Sequence, residues 1–381
     1  MRMAKFRCPT FSSQLVIDLD AFAANYHAVR DHVSPSGCGA VVKANAYGLG
    51  ARRLASRLHR EGCRTFFVAQ LCEALDLRAA LPPGCTIVIL NGLDPGGEQA
   101  CADWGFVPVL NSDNQVRRWR YTARLRGRPL PAGLQLDTGM SRLGLSNASA
   151  LALAQDGSLS SDIDLRFVMT HLACADEPDA AANDEQLRRF EQLTMSFPGV
   201  PRSIANSSGT TLSSSYHLDF VRAGIALYGV PTRPLSLKIF PVVRLCARIL
   251  QIRELSPGTG VGYGLTYTAS GPQYVATLAL GYADGWPRGR GNIGAAWHRD
   301  VRLPIVGRIS MDSMTVDISG VPGEIAEGDF VDLICPNQTL DDIAAGADTI
   351  PYELLTRLGG RHARAYVEDN VTTLHMPGEA Y

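Results

Sequence analysis

A chain of 381 residues with 46% hydrophobic content and a formal net charge of −1 has room for two or three domains with sizeable cores, and it carries no electrostatic footprint for a nucleic acid or another polyanion. Its nine cysteines are odd in number, scattered and without a Cys-x-x-Cys pair, which speaks against a disulfide framework or a zinc site and for reduced thiols in the cytosol. Arg2, Lys5 and Arg7 make the N-terminus basic, but no apolar signal-peptide core follows them and no segment is apolar for long enough to span a bilayer.

The alternating run Leu15 to Leu19 comes first and reads as a strand outside the series that follows; residues 14–20 are a candidate partner for the C-terminal part of the chain. Then eight short apolar runs, each ending in polar or glycine residues, alternate with alanine- and leucine-rich stretches. They are Ala40 to Lys43, Thr65 to Ala69, Thr86 to Leu90, Phe106 to Leu110, Gly133 to Asp137, Leu165 to His171, Arg202 to Asn206 and Phe220 to Arg222. Helical patterns fill the intervals, for example Arg52 to Arg60, Leu71 to Ala80 and Asp184 to Met195, and the arginines 117, 118 and 120 read as a solvated helix face. Eight such units predict an α/β fold with an N-terminal (β/α)8 barrel over residues 1–238, whose functional groups gather where the strands end. After Pro231 and Pro234 the texture turns valine-rich, threonine-rich and glycine-punctuated, as in Val242 to Arg253 and Tyr274 to Leu280, which predicts a mostly β domain over residues 239–381.

The most informative stretch is Val41-Val42-Lys43-Ala44-Asn45-Ala46-Tyr47-Gly48. A β-branched pair leading into a turn puts the Lys43 amine at the edge of an apolar interior, where desolvation disfavours its charged form. A lysine neutralised in this way is a nucleophile for carbonyl carbon, which points to Schiff-base chemistry; a lysine snorkelling from a strand end is the competing reading.

Asp137 to Arg142 follows a strand and offers a guanidinium beside a turn glycine, either a carboxylate clamp or a surface arginine. Asn206-Ser207-Ser208-Gly209-Thr210 and Arg222-Ala223-Gly224-Ile225 end the last two barrel units, where barrels often bind phosphate, a generic serine-rich turn being the competing reading. His171 has no partner at metal-ligand spacing and reads as packing on a planar cofactor or as a satisfied core histidine. Tyr263 is bracketed by glycines, and it, Tyr282 and Tyr352 read, each alone, as structural tyrosines. Gly289 to Gly294 matches a dinucleotide fingerprint literally but follows no buried strand and opens no convincing helix, so it is discounted.

In this order the segments resemble the alanine racemase family from Leu15 to about Val367, with further matches at Thr170 to Glu177, Gly281 to Gly285 and Gly307 to Asp312. The resemblance implies a fold-type III pyridoxal-phosphate enzyme, an isomerase of L- and D-alanine that supplies D-alanine for peptidoglycan, cytoplasmic and assembled as a head-to-tail homodimer with sites shared between subunits. It implies that pyridoxal 5'-phosphate is held as a covalent aldimine at Lys43, that Lys43 and Tyr263 of the partner subunit are the two catalytic bases, and that Arg222 donates to the pyridine nitrogen. By the same resemblance Tyr47, Ser207, Gly224, Ile225 and Tyr352 contact the cofactor's phosphate, His171 packs near its ring, and Arg142 with the Met311 backbone binds the substrate carboxylate. No metal, nucleic acid or membrane is implied. Two positions depart from the family. Gln135 replaces a lysine that many relatives carry carbamylated and offers a neutral carbonyl to Arg142 instead, and Leu49 stands where histidine is common, a change expected to alter packing alone. Alternatives are a racemase of broader specificity, a decarboxylase on the same architecture, against which Tyr263 and Met311-Asp312 speak, and a noncatalytic cofactor-binding module.

Overall fold

The structure, a computed structural model, describes residues 11–233, 237–321 and 323–375; Pro234 and the basic residues Arg2, Lys5 and Arg7 lie outside them. The chain forms two compact units, one of residues 22–240 and one that joins residues 1–21 to residues 241–381.

The first strand, β1 (Ser13–Asp18), belongs to the second of these units. The other unit is a parallel barrel of β2 (Gly37–Val41), β3 (Thr65–Val68), β4 (Thr86–Ile89), β5 (Val107–Leu110), β6 (Leu130–Gln135), β7 (Ile163–Met169), β8 (Arg202–Ser203) and β9 (Phe220–Ala223). Consecutive strands pair in order, and β9 pairs with β2. Between β8 and β9 the wall closes through Asp219 N donating to Arg202 O (3.2 Å) and Arg222 N to Ala205 O (3.0 Å). Val41, Phe67, Val88, Val109, Phe167 and Met169 fill the interior, which is why these strands read as apolar runs on both faces. Helices cover the outside, among them Ala51–Arg60, Leu71–Arg78, Asp113–Arg126 and Ala181–Thr194.

The strands stop short of the sequence-based ends. The expected run to Lys43 ends at Val41, that to Asp137 at Gln135, that to His171 at Met169 and that to Asn206 at Ser203. At these ends the chain keeps one further inter-strand bond, as in Val42 N to Phe67 O (2.8 Å) and Leu136 N to Met169 O (2.8 Å), and then turns out of the wall. The polar residues therefore sit on the loops at the barrel mouth. The arginine cluster also differs from a solvated face. Arg118 pairs with Glu98 (2.6 Å) and Arg120 with Asp156 (2.6 Å) and Asp162 (2.7 Å), tying neighbouring helices together.

In the other unit the long strand β10 (Val243–Leu255) pairs with β1, with Gln273–Leu278 and with Phe330–Ile334. Ala363–Glu368 runs parallel to β1 on its other side. Two short helices, Leu340–Ala345 and Pro351–Arg357, interrupt the β texture, and Tyr352 lies in the first turn of the second. The glycine-rich stretch after Pro287 makes only a single 3-10 turn, Arg288–Arg290, with no helix behind it to bind a dinucleotide phosphate.

Candidate active site

Lys43 is separated from the end of β2 by Val42, and the next four residues turn with left-handed dihedrals: φ is 52° at Ala44, 53° at Asn45 and Ala46 and 50° at Tyr47. Burial lowers the pKa of Lys43, Arg142 repels its charge further, Glu73 acts in the opposite direction, and Arg222 again lowers it. The amine is thus shifted toward its neutral, nucleophilic form.

The turn sends the buried Tyr47 ring against Tyr228 (centroids 4.4 Å apart), whose hydroxyl donates to Val41 O (2.8 Å). Tyr47 Oη reaches Gly224. A methyl group built on Gly224 would lie 3.0 Å from that oxygen and 3.9 Å from Ser207 Oγ, so only glycine leaves the space between them open. Ser207 Oγ accepts from Gly224 N (2.7 Å) and Ala226 N (3.3 Å), which leaves its proton to donate elsewhere. Phenol, hydroxyl and a glycine backbone form a cradle for a polyatomic anion. Ile225 is buried in the 3-10 turn that follows Gly224.

Arg222 lies fully inside the barrel mouth, 3% exposed. Its guanidinium donates to Ser203 Oγ (2.5 Å), Thr170 O (2.8 Å), Ile204 O (3.2 Å) and His171 Nδ1 (3.2 Å). All four acceptors are neutral, so its charge is solvated but not cancelled. Burial pushes its pKa down to about 9, which still leaves it protonated at neutral pH. Because arginine only donates, His171 Nδ1 must be the acceptor and its proton sits on Nε2. Burial and the charges of Arg222, Arg142 and Lys43 hold His171 down at about 3.

Arg142 is exposed on the loop after β6, and Asp137 shapes that loop by accepting from Gly139 N and Ser141 N, both at 3.0 Å. The expected carbonyl contact of Gln135 with Arg142 is not formed. The Gln135 amide instead donates to Leu143 O (3.0 Å), stitching the returning end of the loop to the strand. Leu49 is buried completely, a packing role. Lys43, Tyr47, Arg142, His171, Ser207, Gly224 and Ile225 lie on the turns and loops that follow strands of the barrel unit, and Arg222 lies within the last strand, β9.

Tyr263, Met311 and Tyr352 lie in the other unit. Tyr263 opens a 3-10 turn and is 71% exposed, and Met311 is 53% exposed. The Met311 loop is held from behind. Ala283 N donates to Met311 O (3.0 Å), and Arg361 bridges Asp312 (2.7 Å) and the buried Asp284 (2.8 Å). A side chain on Gly281 would fall 2.3 Å from Met311 O, so the close approach of the two loops needs glycine there.

Sequence reasoning missed the groups that hold these residues in place. Glu73, the third residue of helix Leu71–Arg78, accepts from Ala44 N (2.6 Å), Ala69 N (2.7 Å) and Gln70 N (3.1 Å). Gln186 donates to His171 O (2.9 Å) and Thr138 Oγ1 (3.3 Å) and accepts from Ala173 N (2.8 Å), while the Thr138 and Thr170 hydroxyls meet at 2.8 Å. For Glu73 a signal existed, an acidic residue three positions into a helix, but it points to a cap and not to the turn after a neighbouring strand. Among the described residues no group of three or more His, Cys, Asp or Glu side chains is placed to hold a metal ion.

Residues 17–232 match the family model of the alanine racemase N-terminal domain, and residues 242–366 that of the alanine racemase C-terminal domain. An alanine racemase of Brucella canis is 48% identical over 371 residues, 93% of this chain and 94% of that protein. A catabolic alanine racemase of Mesorhizobium japonicum is 48% identical over 355 residues, 93% of each chain. The crystal structure of alanine racemase from Bartonella henselae with covalently bound pyridoxal phosphate superposes with a TM-score of 0.89 at 40% identity, covering 93% of this chain and 99% of that one.

Proposed function

The chain belongs to the alanine racemase family, and on that premise we propose that Lys43 and Tyr263 of a second copy are the two opposed bases with which it inverts alanine. The activity is that of an isomerase, the pyridoxal-phosphate-dependent interconversion of L- and D-alanine. When bound, the cofactor supplies an electron sink for the negative charge left at the α-carbon. The residues present fit it: the Tyr47, Ser207 and Gly224 cradle suits a phosphate, a protonated Arg222 brings positive charge to the same barrel mouth, and the Lys43 amine is shifted toward its nucleophilic form.

Lys43 would hold the cofactor covalently through Nζ. Tyr47 Oη, Ser207 Oγ and the Gly224 and Ile225 backbone would bind its phosphate, with Tyr352 contributing as well. Arg222, protonated and unable to give up its proton, would donate to the pyridine nitrogen and keep it unprotonated, and the neutral His171 would pack beside the ring. Arg142 and the Met311 backbone of the second copy would bind the substrate carboxylate. For L-alanine, Tyr263 Oη takes the α-proton from one face and Lys43 Nζ returns one to the other; D-alanine reverses the roles. The observation that carries the reading is that one short turn holds both the desolvated Lys43 amine and the Tyr47 phenol that completes the anion cradle.

A homodimer follows from the same reading, because Tyr263 and Met311 are presented bare. We place it in the cytoplasm, a reading supported by the eight free thiols among the described residues. We propose that its D-alanine feeds peptidoglycan; the likeness to a catabolic enzyme favours, as a second reading, the breakdown of D-alanine. Deleting the gene separates the two, since only a supplier leaves cells that need added D-alanine.

Borohydride trapping with peptide mapping tests Lys43 directly; a pyridoxyl adduct on any other residue sinks the assignment. Mixing Lys43→Ala and Tyr263→Phe proteins tests the shared site. Random exchange in a two-fold dimer gives half hybrids with one intact site of two, so about a quarter of the activity should return. No recovery after subunit exchange would place both bases in one copy.

A further inference from the structure

We infer that Glu73 is a positioning residue for the reaction, its carboxylate clamping the left-handed turn that carries Lys43 and Tyr47 onto the end of the neighbouring barrel strand. The inference rests on the roles proposed above for those two residues.

A left-handed helical conformation costs an L-residue roughly 1–2 kcal/mol, and here four non-glycine residues in a row adopt it, Ala44 to Tyr47. The turn has bonds of its own: Ala46 N to Val42 O (2.9 Å), Gly48 N to Ala44 O (2.7 Å) and Gly50 N to Asn45 O (2.9 Å). None of these uses the Ala44 N–H, the first amide after Lys43. That group goes to Glu73 Oε1 at 2.6 Å, while Oε2 accepts from Ala69 N and Gln70 N just beyond β3. The bond to Gln70 is what an acidic residue at the third helical position ordinarily makes. The bond to Ala44 serves no need of the helix. It joins two successive βα units, and it does so on one side of Lys43 while the Val42 to Phe67 ladder bond holds the other side. The residues on either side of the reactive lysine, Val42 and Ala44, are thereby tied to the same stretch of chain. The same carboxylate is the anion that opposes Arg142 and Arg222 in their effect on the Lys43 charge, with His171 neutral alongside.

Three variants of the holoenzyme separate reach from charge. Glu73→Gln keeps the size but turns an amide NH2 toward backbone donors and removes the charge; Glu73→Ala removes both; Glu73→Asp keeps the charge on a shorter arm. In Gln and Ala variants cofactor should dissociate at least about tenfold faster on dilution, in line with what a small misplacement at a reacting group does. Amide hydrogen exchange should accelerate over residues 43–50 with the rest of the barrel unchanged. In the direction where Lys43 is the base, from D- to L-alanine, the acid limb of kcat should move to lower pH, because the ammonium has lost its nearby anion. Asp should loosen the cofactor yet leave that limb in place. Wild-type cofactor retention and exchange in the Gln and Ala variants would overturn the inference, and so would accelerated exchange spread across the whole barrel. Faster release and local exchange with equal pH shifts in both directions would uphold the clamp and instead refute the division of labour between Lys43 and Tyr263.

Discussion

The two units present their functional residues in opposite ways. In the barrel, Arg222 is enclosed and hydrogen bonded on several sides, His171 is held neutral, and Lys43 is flanked by two residues whose amides are tied to the neighbouring strand end. In the β unit, Tyr263 and Met311 lie in turns and are exposed, the Met311 loop being held from behind by the Arg361 bridge and the close approach of Gly281. One half is tuned by its own chain, and the other is left open to solvent. Preorganised groups draw their strength from exclusion of water, so on the proposed reading the bare half gains its chemical value when a second copy covers it.

Substitutions on the two sides should therefore fail differently. The largest effect belongs to Lys43→Ala, which removes the proposed anchor and base together; turnover should fall toward the upper end of the roughly 100- to 10,000-fold range of a lost proton-transfer group, and the cofactor's visible absorbance should go with it. Tyr263→Phe should lose about 100-fold in turnover while cofactor binding and the unfolding midpoint stay as they are, since an exposed phenol supports nothing else in its own chain. Loss of cofactor or of stability there would erase the contrast. Arg222→Met should show the reverse balance. It strands Thr170 O, Ile204 O and Ser203 Oγ without their donor, a loss of about 1–3 kcal/mol of stability readable by urea unfolding of the cofactor-free protein.

The smallest effect sharpens the electrostatic side. His171 is held at about 3, against an ordinary 6.5. As pH drops below 6.5 the unfolded chain takes up a proton at this position that the folded chain refuses until near 3, so stability drains away across that window. His171→Asn should flatten the decline, seen as a smaller change in urea midpoint between pH 7 and pH 4. A slope equal to the wild type's would mean that the histidine is protonated in the fold.

Much of the barrel was legible because parallel strands buried on both faces announce themselves as apolar runs, and Lys43 stood out because a charge at the end of such a run needs a reason. The turn after it was not legible in its handedness: Ala44, Ala46 and Tyr47 have no preference for positive φ, and the conformation is imposed by tertiary bonds. Glu73 and Gln186 sit in sequence as ordinary polar residues of outer helices, and nothing local marks them as reaching over a strand end. Gln135 shows the converse error. Reasoning from a relative's lysine pointed its amide at Arg142, whereas the nearer unsatisfied group was the carbonyl of Leu143.

The placement of β1 has a consequence for biogenesis. Ser13–Asp18 leaves the ribosome ahead of the whole barrel, yet its neighbours in the sheet begin at Val243 and Ala363. While the barrel is being completed, Leu15, Val16 and Ile17 wait as an unpaired edge, the kind of segment that nascent chains must keep from sticking to one another. A ribosome that stops before Ala363 releases a protein with its chemical half assembled and its opening strand still without one of its two companions.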